Sequence, residues 1–173
     1  MKKQKGITLM GMTGAGKSTI GPILAKKLNW KIYDVDRMIV EKKGMLLGEI
    51  VEKEGAQYLL DYETELIRQL DLRKSVLSPP GSIVFDKPCH QQLKEQTVIL
   101  MLDVSFLTLS ERFGKDPWKN GGIIGAENGF EGIYNERIPL CESLADVKIN
   151  CNEKRPDIIA DEIIKYYKRT ISH

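Results

Sequence analysis

The residues with the most chemical content lie near the start of the chain: Gly11-Met12-Thr13-Gly14-Ala15-Gly16-Lys17-Ser18. This octet fits G-x-x-x-x-G-K-[ST]. It follows a short β-type run, Ile7–Met10, and precedes a helical pattern in which Ile20, Ile23, Leu24 and Leu28 share one face. In that setting the glycines at 11, 14 and 16 let the backbone turn tightly, so that successive N–H groups converge on a phosphate. The positive end of the following helix dipole faces the same point. Lys17 supplies a point charge for the β and γ phosphates, and the Ser18 hydroxyl can ligate Mg²⁺. A ligand-free glycine-rich turn is the bland alternative, and the position between strand and helix argues against it. A dinucleotide fingerprint is the sharper competitor, because Gly14-x-Gly16 is present and Asp34 lies about 20 residues on. Thr19 stands where the third glycine would be, however, and Lys17-Ser18 would have no task in that motif. The octet therefore reads as a nucleoside triphosphate site.

A second group follows in Tyr33-Asp34-Val35-Asp36, two carboxylates on alternate residues at the end of a predicted strand. Ligands of parallel α/β sheets bind at that end. One of the two acids can hold Mg²⁺ through water while the other accepts a proton from a hydroxyl nucleophile. The alternative, Asp36 as a cap on a helix over Met38–Lys43, leaves Asp34 without a role. Neither D-x-x-G nor N-K-x-D occurs in the chain, which excludes a regulatory GTPase, and motor or transporter ATPases are usually larger.

The elements that must position these groups alternate along the chain. Strands are predicted at Ile7–Met10, Lys31–Asp34, Val76–Ser78, Thr97–Asp103 and Val147–Cys151. Helical patterns cover Met38–Lys43, Leu59–Leu70, Phe106–Phe113 and Glu131–Leu144, and a last helix starts near Pro156 with Ile159, Ile163 and Tyr166 on one face. Such alternation predicts an α/β fold: a five-stranded parallel sheet with helices on both faces. Gly114–Gly129, with glycines at 121, 122, 125 and 129 and Pro117, has no periodicity and reads as a functional lid.

At 173 residues the chain (1–173) is expected to be one domain. A net charge of +2 gives no reason to expect a nucleic-acid partner. The longest apolar run, Val98–Leu102, is far too short for a membrane span, and the stretch behind Met1-Lys2-Lys3 breaks at Gly11, unlike a signal peptide. Cys89, Cys141 and Cys151 have neither disulfide-framework nor zinc-site spacing, and one of the two histidines is terminal. A cytoplasmic protein is expected, with the cysteines serving as core filler.

Taken with Glu136-Arg137-Ile138-Pro139-Leu140 and the following Ala145-Asp146, the phosphate loop and Asp34-x-Asp36 resemble the shikimate kinase family, from Ile7 to about Tyr167. The resemblance implies a three-layer P-loop fold of the nucleoside monophosphate kinase type. It also implies a monomer that uses ATP and Mg²⁺ to convert shikimate to shikimate 3-phosphate in aromatic amino acid biosynthesis. Gly14, Ala15, Gly16, Lys17, Ser18 and Thr19 would bind the ATP phosphates, and Ser18 with Asp34 would serve Mg²⁺. Arg112 and Pro156 would flank adenine. Asp36 would hold the substrate hydroxyls and assist deprotonation, Gly81 would face the substrate, and Arg137 would pair with its carboxylate.

The chain departs from the family on the acceptor side. Leu60 stands at the family's second carboxylate-binding arginine, and Pro79-Pro80-Gly81 replaces a triple glycine, deleting two backbone donors. In the lid, a gap-free count from Arg112 places Lys119 at the arginine that reaches the transferring phosphate. Cys141 replaces a tyrosine. Three readings stay open: a shikimate kinase with a divergent pocket, a same-fold kinase for another small hydroxylated metabolite, and a nucleotide-binding regulatory protein without catalysis. Retention of Lys17, Ser18, Asp34 and Asp36 argues against the third.

Overall fold

A computed structural model describes residues 4–115 and 129–171. Most of the expected lid, with Lys119, lies outside the described residues. Five strands, β1 (Gly6–Met10), β2 (Lys31–Asp34), β3 (Ser75–Ser78), β4 (Thr97–Asp103) and β5 (Val147–Asn150), form one sheet in the order β2-β3-β1-β4-β5. Every pairing is parallel, with Ile7 opposite Val76 on one side of β1 and Val98 on the other. The helices in chain order are α1 (Lys17–Leu28), α2 (Val35–Lys43), α3 (Leu47–Glu54), α4 (Ala56–Arg68), α5 (Lys87–Gln96), α6 (Phe106–Lys115), α7 (Gly129–Leu144) and α8 (Pro156–Ile171).

The inner strands are apolar on both faces because both faces are covered. Strand residues alternate between two cores. Ile7, Leu9, Val98, Leu100 and Leu102 pack with Ile20 and Leu24 of α1 and with Ile159 and Ile163 of α8. Met10, Leu77, Ile99 and Met101 pack on the other face with Ile39, Ile50, Leu59, Ile67 and Leu93 from α2 to α5. The three cysteines are buried in these cores. Burial pushes the Cys141 thiol up and holds that of Cys151 at about 11, which fits filler rather than a nucleophile.

Four features differ from the sequence expectation. Helices α3 and α5 and a 3₁₀ turn over Gly81–Phe85 were not predicted. Helix α5, KPCHQQLKEQ, buries only Cys89 and Leu93, too thin a stripe for periodicity to detect. Helix α2 begins at Val35, and its cap is Asp34, whose carboxylate accepts from the Arg37 N–H at 3.4 Å. The capping role considered for Asp36 thus belongs to its neighbour. Among the described residues no helix is long and apolar enough to cross a membrane.

The parallel topology sends every strand out at the same sheet edge. There β1 runs into the phosphate loop, β2 into Asp34 and Asp36, and β3 into Pro79-Pro80-Gly81.

Candidate active site

The glycine-rich loop turns through left-handed backbone at Gly14 (φ 84°) and Gly16 (φ 102°), conformations that a side chain would strain. Gly16 is the N-cap of α1, and no acidic residue occupies the first turn, so the positive helix end stays uncompensated for an anion. The Lys17 ammonium donates to the carbonyls of Gly11 (2.8 Å) and Met12 (3.1 Å) and so lies over its own loop. Burial lowers its pKa and the charge of Asp36 opposes that shift. Arg112 crosses from α6 to donate to the Gly14 carbonyl at 2.6 Å.

A cavity of about 720 Å³ opens over this loop, ample for a ligand of nucleotide size. Gly14, Ala15, Gly16, Lys17, Ser18 and Thr19 form its floor. Arg112 and Pro156 line it from the β4–β5 side of the sheet, and Asp34, Asp36, Gly81 and Arg137 from the β2–β3 side and α7. Every expected site residue within the described segments therefore meets in one cavity.

Asp36 holds an unusual position there. Its Oδ1 is buried with no hydrogen-bond partner among the described residues. Burial raises the carboxyl to about 6, with Lys17 pulling it back down. A buried orphan oxygen costs free energy unless a ligand satisfies it, so its presence points to a partner group in the cavity. Arg137, 4% exposed, is held on α7 with its guanidinium 5.8 Å from the Phe85 ring centre. A Cβ added at Gly81 would stand 2.6 Å from Arg137 Nη1, so glycine is what allows the guanidinium to lie against that backbone.

Sequence reasoning missed Glu63 and Ser82. Glu63 is 5% exposed, lines the cavity from α4, and accepts a hydrogen bond from the Ser82 hydroxyl at 2.6 Å. Burial pushes its carboxyl up to about 8, with the Ser82 bond and Arg137 opposing and the charges of Asp36 and Asp86 adding to the rise. The available signal was a charged residue on the apolar stripe of α4, four after Leu59 and three before Leu66. Leu60, which stands at the family's second carboxylate-binding arginine, is half-buried and is not among the residues lining the cavity, whereas Pro79 and Pro80 are.

The Ser18 hydroxyl and Asp34 carboxylate offer oxygen donors suited to a hard cation beside phosphates, and the orphan Oδ1 of Asp36 adds another oxygen nearby. The donor set fits Mg²⁺, which typically takes one or two protein ligands plus phosphates and water.

A family model described as shikimate kinase matches residues 13–168. A shikimate kinase of Sulfurihydrogenibium sp. is 34% identical over 169 residues, covering 95% of this chain and 99% of that protein. Shikimate kinase 1 of Escherichia coli is 31% identical over 169 residues, covering 95% and 96%. Among solved structures, a shikimate kinase from Acinetobacter baumannii in complex with shikimate aligns with a TM-score of 0.87 and 26% identity, covering 98% of this chain and 96% of that one.

Proposed function

Because the chain belongs to the shikimate kinase family, we propose that it transfers the γ-phosphoryl group of ATP to the 3-hydroxyl of shikimate. The observation that carries the site assignment is Asp36, a buried carboxylate with an orphan oxygen between the phosphate loop and the Gly81–Arg137 contact.

In this reading the loop N–H groups and the α1 terminus bind the phosphates of ATP, and Lys17 leans on the transferring group as negative charge builds there. Ser18 and Asp34 would hold Mg²⁺, which when bound supplies charge neutralisation on the phosphates. Arg137 pairs with the acceptor's carboxylate and so aims the opposite edge of the ring at Asp36. Asp36 then orients the attacking hydroxyl and takes up its proton. Arg112 and Pro156 flank the base, and Lys119 is assigned to the lid as the cation that meets the transferring phosphate. Residues 1–173 act as one kinase domain, a cytoplasmic monomer.

The test is ADP release with Mg·ATP and shikimate, with the phosphoester located by NMR. Shikimate 3-phosphate forms in step with ADP. Asp36→Asn lowers transfer by roughly 10²- to 10⁴-fold while ATP affinity stays within a few-fold. ADP release without a shikimate phosphoester, or an Asp36→Asn enzyme of normal activity, would reject the assignment. Pro79 and Pro80, which line the cavity without N–H donors, favour a second reading in which another small polyol or hydroxy acid is the preferred acceptor. A panel of such compounds run beside shikimate decides between the two.

A further inference from the structure

At the acceptor end two carboxyl groups share the space around one guanidinium. Asp36 comes from α2, Glu63 from α4 and Arg137 from α7, and all three line the cavity. Glu63 is the most enclosed of the acids that line it, and its hydrogen-bond partner among the described residues is Ser82, next to Gly81. The other charged groups that act on it are Asp86, at the cap of α5, and Asp36, both negative, with Arg137 the positive one. Helix α3, packed against α4, contributes Leu47 to the same cavity and no charge to this contact. One helical turn before Glu63 stands Leu60, where the family pattern has an arginine, so α4 offers Glu63 no cation of its own.

Building on the acceptor assignment above, we propose that Glu63 sets the charge selectivity of acceptor binding. With its proton it forms, together with Ser82, an uncharged hydrogen-bonding edge beside Arg137, and without it the edge repels an acceptor carboxylate.

The charges at this end decide the direction of the effect. With Glu63 protonated, Lys17 and Arg137 together outweigh Asp36, and an incoming carboxylate is drawn to the guanidinium. With Glu63 ionised, its charge and that of Asp36 offset both Lys17 and Arg137, with Asp86 adding negative charge beside it, so the pull on a further carboxylate is lost. Burial and two like-charged neighbours hold the proton on Glu63 up to about pH 8. The selectivity therefore fades on the alkaline side of neutrality. A protonated carboxyl also has a donor to give, so an acceptor hydroxyl can bond to Glu63 and Ser82 while the carboxylate bonds to Arg137.

The experiment measures the dissociation constant of shikimate by calorimetry from pH 6.5 to 9.5, with phosphorylation followed at each pH. The wild type binds with constant affinity below about pH 8. Above it affinity weakens, approaching tenfold per pH unit, as expected for loss of one required proton. Glu63→Gln, uncharged throughout, abolishes that weakening. Ser82→Ala removes the bond that favours the ionised form, so the weakening starts at higher pH. This second variant keeps the test open if Glu63→Gln folds poorly. A wild-type affinity that stays flat from pH 7 to 9, or the same weakening in both variants, overturns the role of Glu63. If shikimate is phosphorylated in that case, the acceptor assignment stands and only this inference falls. If shikimate neither binds nor is phosphorylated at any pH, the acceptor assignment fails and the inference fails with it.

Discussion

Arg137 is the residue whose role depends most on a neighbour's lack of a side chain. Its guanidinium lies so close to Gly81 that a single methyl there would stand 2.6 Å from Nη1. The obstructing atom is the far end of a flexible side chain, so the backbone can stay in place while the guanidinium is displaced. Gly81→Ala should leave the melting temperature within a few degrees and move Arg137 off the acceptor carboxylate. Loss of one charged hydrogen bond costs about 1.5–3 kcal/mol, so the Michaelis constant for shikimate should rise roughly 10- to 150-fold while that for ATP stays within a few-fold. A parallel rise for both substrates would show that the change disturbs the whole cavity. Lys17 and the glycines of its loop were legible in the sequence because their chemistry depends on neighbours in the chain. The nearness of Arg137 to Gly81 was not, since 56 residues separate them and only the packing of α7 beside the end of β3 brings them together.

At the scale of elements, the junction of β2 and α2 gives two acids different tasks, Asp34 as the cap and Asp36 in the first turn. Both line the cavity, but Asp34 caps the helix, whereas Asp36, already helical, keeps a buried orphan oxygen. Asparagine caps helices about as well as aspartate, and alanine does not. Asp34→Asn should therefore keep the stability of the wild type and raise the Mg²⁺ concentration needed for half-maximal turnover. Asp34→Ala should add a stability loss of about 0.5–1 kcal/mol to the same metal defect. Thermal melts beside Mg²⁺ titrations separate the two effects, and equal melting temperatures for both variants would remove the cap from the account. Helix α4 shows the complementary case. Its apolar stripe of Leu59, Leu66 and Ile67 is readable from sequence, and the stripe delivers Glu63 to the site as a charged residue in a row of core positions.

For the whole molecule, the acids that build the site oppose its folding. Asp36 and Glu63 both have folded-state pKa values above their ordinary ones, at about 6 and about 8. A carboxyl raised in this way binds its proton more tightly in the folded state, so its contribution to stability is complete below its unfolded pKa and is lost as pH rises through the folded one. The wild type should therefore lose stability between about pH 4 and pH 8, by an amount on the order of a few kcal/mol. Glu63→Gln should remove the part of the loss that extends to pH 8, visible as a flatter plot of melting temperature against pH. Parallel plots for wild type and variant would mean that Glu63 titrates in the folded protein as it does in the unfolded chain. The sequence alone determined the strand–helix alternation, the parallel sheet, the phosphate loop and the pair Asp34 and Asp36, because each rests on periodicity or on spacings of a few residues. Tertiary structure alone decided that Arg137 lies against Gly81, that Glu63 rather than Leu60 faces the cavity, and that Asp36 keeps an unpartnered oxygen. Those outcomes depend on how helices far apart in the chain pack around one sheet edge, where burial and charge are properties of the assembled neighbours and not of any local run of residues.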